Sequence, residues 1–291
     1  MLNTFTIANW NEHFPESTQK EAIKSLESGD VLYFPHLGFH LSEEEKVFLS
    51  PEFAHPSAKN ISYLPQKAKI KGAKNLTYEE RQQLQQLLER FSRYSFLLLK
   101  ALLPRYVPYL KTGRASFRPV EISGRATSYR KDDKRLHVDA FPSSPNQGQR
   151  ILRVFSNINP QGADRVWRLG EPFENVAQRF LPKIKKPWRG LATLFNLLKI
   201  TKSYRTLYDH CMLQIHDLMK EDDTYQQTVS QQEIRFPPNS SWIVQTDHVS
   251  HAAMQGQYVL EQTFYLPVQA MQDQQRSPLR ILEKMLNKKL V

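Results

Sequence analysis

RLHVDAFPSSPNQGQRILRVFSNI, residues 135–158, is the stretch on which the fold turns. Two β-rich runs, RLHVDAF (135–141) and RILRVFSNI (150–158), are separated by a segment with Pro142, Pro145, Asn146 and Gly148, all turn formers. The same texture recurs on both sides, in RATSYR (125–130), RVWRLG (165–170), EIRFP (233–237), SWIVQTD (241–247) and QYVLEQTFYLP (257–267). Many short strands punctuated by turns predict a sandwich or barrel rather than a parallel α/β sheet. A helical, partly basic insert at about 172–225, with Lys183, Lys185, Lys186 and Arg189, splits the series.

Helices flank this core. Residues 18–28 read as helical, and GDVLYFP (29–35) follows as a turn leading into a β-rich run. The clearest helix spans 77–99: Thr77 and Glu80 have capping-box spacing, and Leu84, Leu87, Leu88, Phe91 and Leu98 fall near one face. A last helix starts at Ser277 and Pro278, with Leu279, Leu282, Leu286 and Leu290 as an apolar stripe among Arg280, Lys284, Lys288 and Lys289. Such a helix packs on the body or lies on an anionic membrane. The fold class is α+β, in one domain over 1–291. Residues 1–114 are a mainly helical support, 115–267 the β core with its insert, and 277–291 an amphipathic C-terminal helix.

The chain has 291 residues, 40% hydrophobic and 24% charged, which is globular rather than disordered composition. Its net charge of +11 calls for an anionic partner: nucleic acid, an acidic membrane surface or an acidic small substrate. A single cysteine, Cys211, cannot form an internal disulfide and reads as a small buried hydrophobe. The stretch MLNTFTIANWNEHF (1–14) lacks the basic and apolar regions of a signal peptide, so none is expected, and the most apolar run, 96–103, is interrupted by Lys100 and too short for a bilayer. The expected location is cytoplasmic, with or without peripheral contact to a membrane.

The chemistry sits in LHVDAF. In an extended segment residues i and i+2 share a face, so His137 and Asp139 can aim an imidazole and a carboxylate at one ion. A histidine from an adjacent strand would complete a two-His-one-carboxylate triad with open positions, the donor set of iron(II) oxygen chemistry. The motif alone is weak: 9 His and 11 Asp in 291 residues give roughly 0.3 chance occurrences. A second histidine segment, TDHVSHAAMQGQ (246–257), lies between two strand-like runs and offers His248 or His251. His13, His36, His40, His55, His210 and His216 are read as structural. There is no Gly-rich phosphate loop, no cysteine pair for zinc and no nucleophile elbow.

Three longer stretches carry a family resemblance: LESGDVLYFPHLGF (26–39), the run 136–174 from LHVDAF to RVWRLGEPFE, and SWIVQTDHVSHAAMQGQYVLEQTF (241–264). In these the chain resembles the bacterial Kdo 3-hydroxylases, of the iron(II)- and 2-oxoglutarate-dependent dioxygenase superfamily. Kdo is the acidic eight-carbon sugar that joins lipid A to the lipopolysaccharide core. The resemblance implies a double-stranded β-helix (jelly roll), with Fe(II), 2-oxoglutarate and O2 as the reacting partners. It implies His137, Asp139 and His251 as catalytic metal ligands, since the family pattern has His-Ala shortly before Gly-Gln. It implies hydroxylation at C3 of Kdo in Kdo-lipid A or a related anionic glycolipid, with peripheral contact to the inner membrane through the C-terminal helix. No nucleic-acid partner is expected, because KDDKRLH (131–137) has the mixed charge of a solvated turn.

One departure stands out. Many superfamily members place an arginine for the cosubstrate's distal carboxylate about ten residues after the distal histidine, where this chain has Glu261 and Gln262. Arg150 and Arg153, on the strand after His-x-Asp, are the expected replacements; three positions apart, they face opposite sides, so one of them points inward. Arg165 and Arg168, flanking Trp167, are candidates for contact with the sugar and its carboxylate. The rival readings are an oxygenase of the same chemistry acting on another anionic substrate, and a non-catalytic jelly roll that binds glycans or lipids.

Overall fold

The computed structural model describes residues 1–291 apart from Ser57, Arg125, Ala126, Thr127, Arg189 and the side chain of Leu191. In chain order, strand β1 (Leu2–Thr4) precedes helix α1 (Glu16–Glu27) and β2 (Val31–Phe34). Next come β3 (Ile61–Leu64), β4 (Lys69–Lys71), the long α2 (Tyr78–Leu102) and β5 (Lys111–Arg118). The central strands β6 (Arg150–Asn157) and β7 (Arg165–Leu169) lead into α3 (Phe173–Phe180), α4 (Leu191–Leu197), α5 (Leu207–Glu221) and α6 (Asp223–Thr228). The chain closes with β8 (Gln232–Phe236), β9 (Ser241–Gln245), β10 (His251–Gln255), β11 (Val259–Leu266) and α7 (Pro278–Leu286).

The strands form two sheets, one of eight in the order β1-β2-β9-β6-β11-β5-β3-β4 and one of three in the order β10-β7-β8. This is a jelly roll with helices on the outer face of its larger sheet. All eight residues of β6 are buried, because that sheet is covered on both sides. Strand alternation sorts them: Leu152 and Val154 join the core beneath the helices, while Phe155 joins an aromatic core between the sheets with Trp167, Phe236 and Trp242. β11 alternates likewise, with Leu260, Phe264 and Leu266 towards the helices.

Several expectations need adjusting. Residues 1–114 supply two helices but also four strands of the large sheet. RLHVDAF is not a ladder strand; it makes a single antiparallel bridge, His137 to His251. Of RATSYR, residues 125–127 lie outside the described residues, and Tyr129 starts a short 3-10 turn rather than a strand. Strands β3, β4, β5 and β10 carry no clear sequence signal; β4 is three residues, two of them exposed lysines.

The helix signals translate directly into contacts. Thr77 Oγ1 accepts from Glu80 N at 3.1 Å, and Glu80 Oε2 accepts from Thr77 N at 2.8 Å. Ser277 Oγ accepts from Arg280 N at 3.2 Å, capping α7. Most of the α7 stripe turns inward: Leu279, Leu282 and Leu290 are buried, and Leu286 alone of the four is exposed. That helix packs on its own domain instead of offering an apolar face outward.

Candidate metal centre

His137 and Asp139 lie in the extended segment between β5 and β6, and His251 opens β10. The His137–His251 bridge has both backbone bonds, His137 N to His251 O at 3.0 Å and His251 N to His137 O at 2.9 Å. Directly opposed residues of this kind bring their side chains together, and the two imidazole centroids are 4.7 Å apart. Asp139 is pinned by its own amide, which donates to Thr246 O at 2.8 Å. One potential ligand atom from each of the three residues lies within 4.8 Å of the others.

The tautomers are fixed by the backbone. His137 Nδ1 lies 2.8 Å from Arg135 O, and His251 Nδ1 lies 2.8 Å from Val249 O. A carbonyl only accepts, so each Nδ1 carries the hydrogen and each Nε2 keeps its lone pair. Burial pushes both imidazoles below the ordinary 6.5, His137 well below, so both are neutral at physiological pH. Trp167 stacks on His251 with centroids 5.1 Å apart at 23°.

Asp139 is the opposite case. Burial alone would raise its carboxyl, but the Arg153 guanidinium, 3.1 Å from Oδ2, holds it down at about 2. The site therefore offers two neutral nitrogen donors and one carboxylate, buried and pre-aimed. Asp139 Oδ2, although close to Arg153, has no well-directed hydrogen bond.

Three arginines line the same cavity: Arg118 from β5, Arg153 from β6 and Arg165 from β7. Arg118 donates to Glu261 Oε2 from Nη2 at 2.6 Å and from Nε at 3.0 Å. Arg153 bridges Asp139 and Glu261, the latter at 3.3 Å. Glu261, which occupies the region where an arginine was sought, is held ionised at about 2 by Arg118 and Arg153 despite its burial. Arg165 donates to Gly256 O at 2.8 Å, but its Nε has no partner, and among the described residues no carboxylate pairs with it. Burial and the neighbouring Arg118 charge pull Arg165 down to about 9.

The other sequence candidates lie elsewhere. Arg150 is not at the site: on the helix-facing side of β6 it is fully buried, with Nε 2.7 Å from Asp247 Oδ2 and Nη1 3.1 Å from Met271 S. His248 sits in the turn before β10, with its ring against Gly29 and Phe173, and lines a separate cavity. Arg168 faces away and donates to Met254 S. His216, read as structural, comes from α5 to within 5.4 Å of the His137 ring, and its Nδ1 lies 2.9 Å from Asp217. Arg118 had no sequence signal, because β5 itself had none.

A jelly roll that aims two histidines and a carboxylate into a buried, arginine-lined cavity defines the non-haem iron(II)- and 2-oxoglutarate-dependent dioxygenases. Within that class the chain belongs to the 3-deoxy-D-manno-oct-2-ulosonic acid (Kdo) hydroxylase family, whose model matches residues 9–289. Its structure is similar to that of the Kdo hydroxylase KdoO, a non-heme Fe(II) alphaketoglutarate dependent dioxygenase. KdoO with alphaketoglutarate and Fe(III) is 51% identical at a TM-score of 0.96, covering 100% of this chain and 97% of that one. KdoO with cobalt(II) gives 52% and 0.97, and KdoO with succinate and Fe(III) gives 50% and 0.96, with the same coverage. No curated protein sequence matches.

Proposed function

We propose that this protein hydroxylates C3 of a Kdo unit carried on lipid A or a related anionic glycolipid, with iron(II) held by His137 Nε2, Asp139 and His251 Nε2. The observation that carries the reading is the His137–His251 bridge beside Asp139, which gathers two neutral donors and one carboxylate at one buried point. That donor set fits iron(II) and leaves positions for a cosubstrate and dioxygen. Bound there, iron(II) with 2-oxoglutarate and dioxygen supplies the oxidising power to replace C–H by C–OH, with succinate and carbon dioxide as coproducts.

The chain's own residues bind and orient. The carbonyls of Arg135 and Val249 lock the two imidazoles, and Trp167 supports the ring of His251. Arg153 keeps Asp139 ionised. For the distal carboxylate of 2-oxoglutarate, Arg165 is the strongest anchor. A buried guanidinium without a carboxylate is costly, and an entering anion relieves that cost. Arg153, the inward member of the pair expected from sequence, is a second donor towards the same anion.

Kdo brings a carboxylate, and lipid A brings phosphates, in keeping with the charge of +11. No helix of the described residues is long and apolar enough to cross a membrane. We propose peripheral contact with the membrane that presents the glycolipid. The test is succinate formation from 2-oxoglutarate with Kdo-lipid A as acceptor, read alongside the mass and fragmentation of the product. One oxygen added at C3 of Kdo is expected. Turnover stimulated only by a different anionic acceptor would transfer the chemistry to another substrate.

A further inference from the structure

A cleft of about 630 Å³ lies beside the metal cavity and is lined by Lys71, Lys111, Arg114 and Lys202 together with Tyr265 and Asn146. No aspartate or glutamate lines it, and among the described residues none of these four cations has an ion pair. Lys202 registers the crowding: burial, with Arg114, Lys71 and Lys67, pulls its ammonium below the ordinary 10.5. Like charges gathered without counter-charge cost stability, and a bound anion removes the cost.

The cleft neighbours the metal cavity along β11. On β11, Glu261 borders the arginines of the cavity and Tyr265, four residues on and on the same face, lines the cleft. Four strand residues span about 14 Å. Phe141, two residues after Asp139, lies between the two regions, with the Arg153 guanidinium 5.5 Å and the Arg114 guanidinium 5.9 Å from its ring centroid. An acceptor with its reacting carbon at the metal would extend into this cleft.

We propose that the cleft binds a phosphate monoester of the acceptor glycolipid, so that Lys71, Lys111, Arg114 and Lys202 select a phosphorylated acceptor while the sugar is held at the metal. This rests on the Kdo-glycolipid reading above. The test compares wild type with the double variant Lys71→Glu/Lys202→Glu, using Kdo-lipid A with and without its phosphates, in turnover and in equilibrium binding to detergent-dispersed lipid. Inorganic phosphate alone is a third ligand. Removing the phosphates should raise the wild-type KM about tenfold, and the variant should lose about tenfold on the phosphorylated acceptor but little on the stripped one. An equal loss on both acceptors would overturn the cleft and leave the hydroxylase reading intact. Phosphate-dependent binding without turnover of either acceptor would keep the cleft and remove that reading. Inorganic phosphate bound as tightly as the lipid would overturn the glycolipid as its source.

Of twelve exposed large apolar side chains among the described residues, six fall within 188–204: Trp188 (82% exposed), Leu194, Leu197 (76%), Leu198, Ile200 and Tyr204. Leu194, Leu197 and Leu198 have the spacing of one helix face, here turned to solvent. Exposed Lys185, Lys186 and Lys199 accompany them, and Lys202 of the cationic cleft lies inside the same segment. Apolar side chains among lysines match an anionic bilayer, with the apolar groups below the headgroups and the cations level with them. We infer that α4 and its flanks, rather than α7, are the element that rests on an anionic lipid surface.

Trp188 gives the readout, since Trp10, Trp167 and Trp242 are all buried. Vesicles with phosphatidylglycerol should shift its emission to the blue, and the shift should vanish in Trp188→Phe. Leu197→Asp should lower pelleting with those vesicles at least fivefold while far-ultraviolet circular dichroism stays unchanged. Pelleting of Leu197→Asp equal to wild type would overturn the inference. So would a blue shift that needs no vesicles and grows with protein concentration, which would make the patch a contact between copies of the chain.

Discussion

The inner and outer ends of β5 and β11 treat positive charge in opposite ways. At the inner end Arg118 and Arg153 share Glu261, and Arg153 also holds Asp139. At the outer end Arg114 and three lysines have no carboxylate partner among the described residues. The inner cations are mostly neutralised within the fold, so their role is to orient ligands and keep carboxylates ionised. The outer cations are gathered in one cleft without counter-charge and await charge from outside. Arg165 is the exception at the inner end, because its missing partner marks where a small anion enters.

Breaking the inner end should have the largest consequence. His137→Ala or Asp139→Ala should cut turnover at least about 100-fold, with circular dichroism and thermal melting near wild type. Retained turnover in either variant would remove that residue from the metal. Next, Arg165→Met should raise the KM for 2-oxoglutarate about thirtyfold, read also as a matching loss of equilibrium affinity for 2-oxoglutarate. If Arg153→Met shows that loss and Arg165→Met does not, the anchor is on β6.

Acid should act first on the buried imidazoles. His137, His248 and His251 are all pushed below 6.5 by burial, so the unfolded chain binds their protons first. Their contribution is fully present above pH 6.5 and is lost as pH falls towards their folded values, at about 1 kcal/mol per imidazole per unit. Asp139 and Glu261, both at about 2, add a second loss below the ordinary carboxylate range. Chemical denaturation of metal-free protein from pH 8 to 4 should show a plateau and then this decline; a flat profile through pH 5 would mean the imidazoles are hydrated. The smallest effect is ionic. Raising salt from about 50 to 300 mM should increase the KM for the glycolipid about threefold and leave that for 2-oxoglutarate unchanged, since exposed charges are screened and buried ones are not.

What the sequence reveals follows from where side-chain chemistry is local. The capping box at Thr77, the stripe on α2 and the apolar runs of β6, β9 and β11 are short-range patterns, and each is visible before folding. The same-face logic of i and i+2 separates Arg150 from Arg153, and the register of β6 sends Arg150 to Asp247. That partner is 97 residues away and could not be read locally. The pairing of His137 with His251 is likewise a long-range bridge, and sequence spacing alone left His248 open beside it. β5 was missed because its run KTGRASFR is polar and alternates only at its end, which hid Arg118 and Arg114 together. The apolar face of α4 was hidden because an exposed leucine and a buried one look alike in sequence.

Anaerobic titration of iron(II) and 2-oxoglutarate, followed by the weak visible charge-transfer band of their chelate, tests the central claim most directly. Wild type and His248→Ala should develop the band, and His137→Ala and His251→Ala should not. A band that persists without His251 but disappears without His248, or that persists without His137, would contradict the assignment of the metal centre.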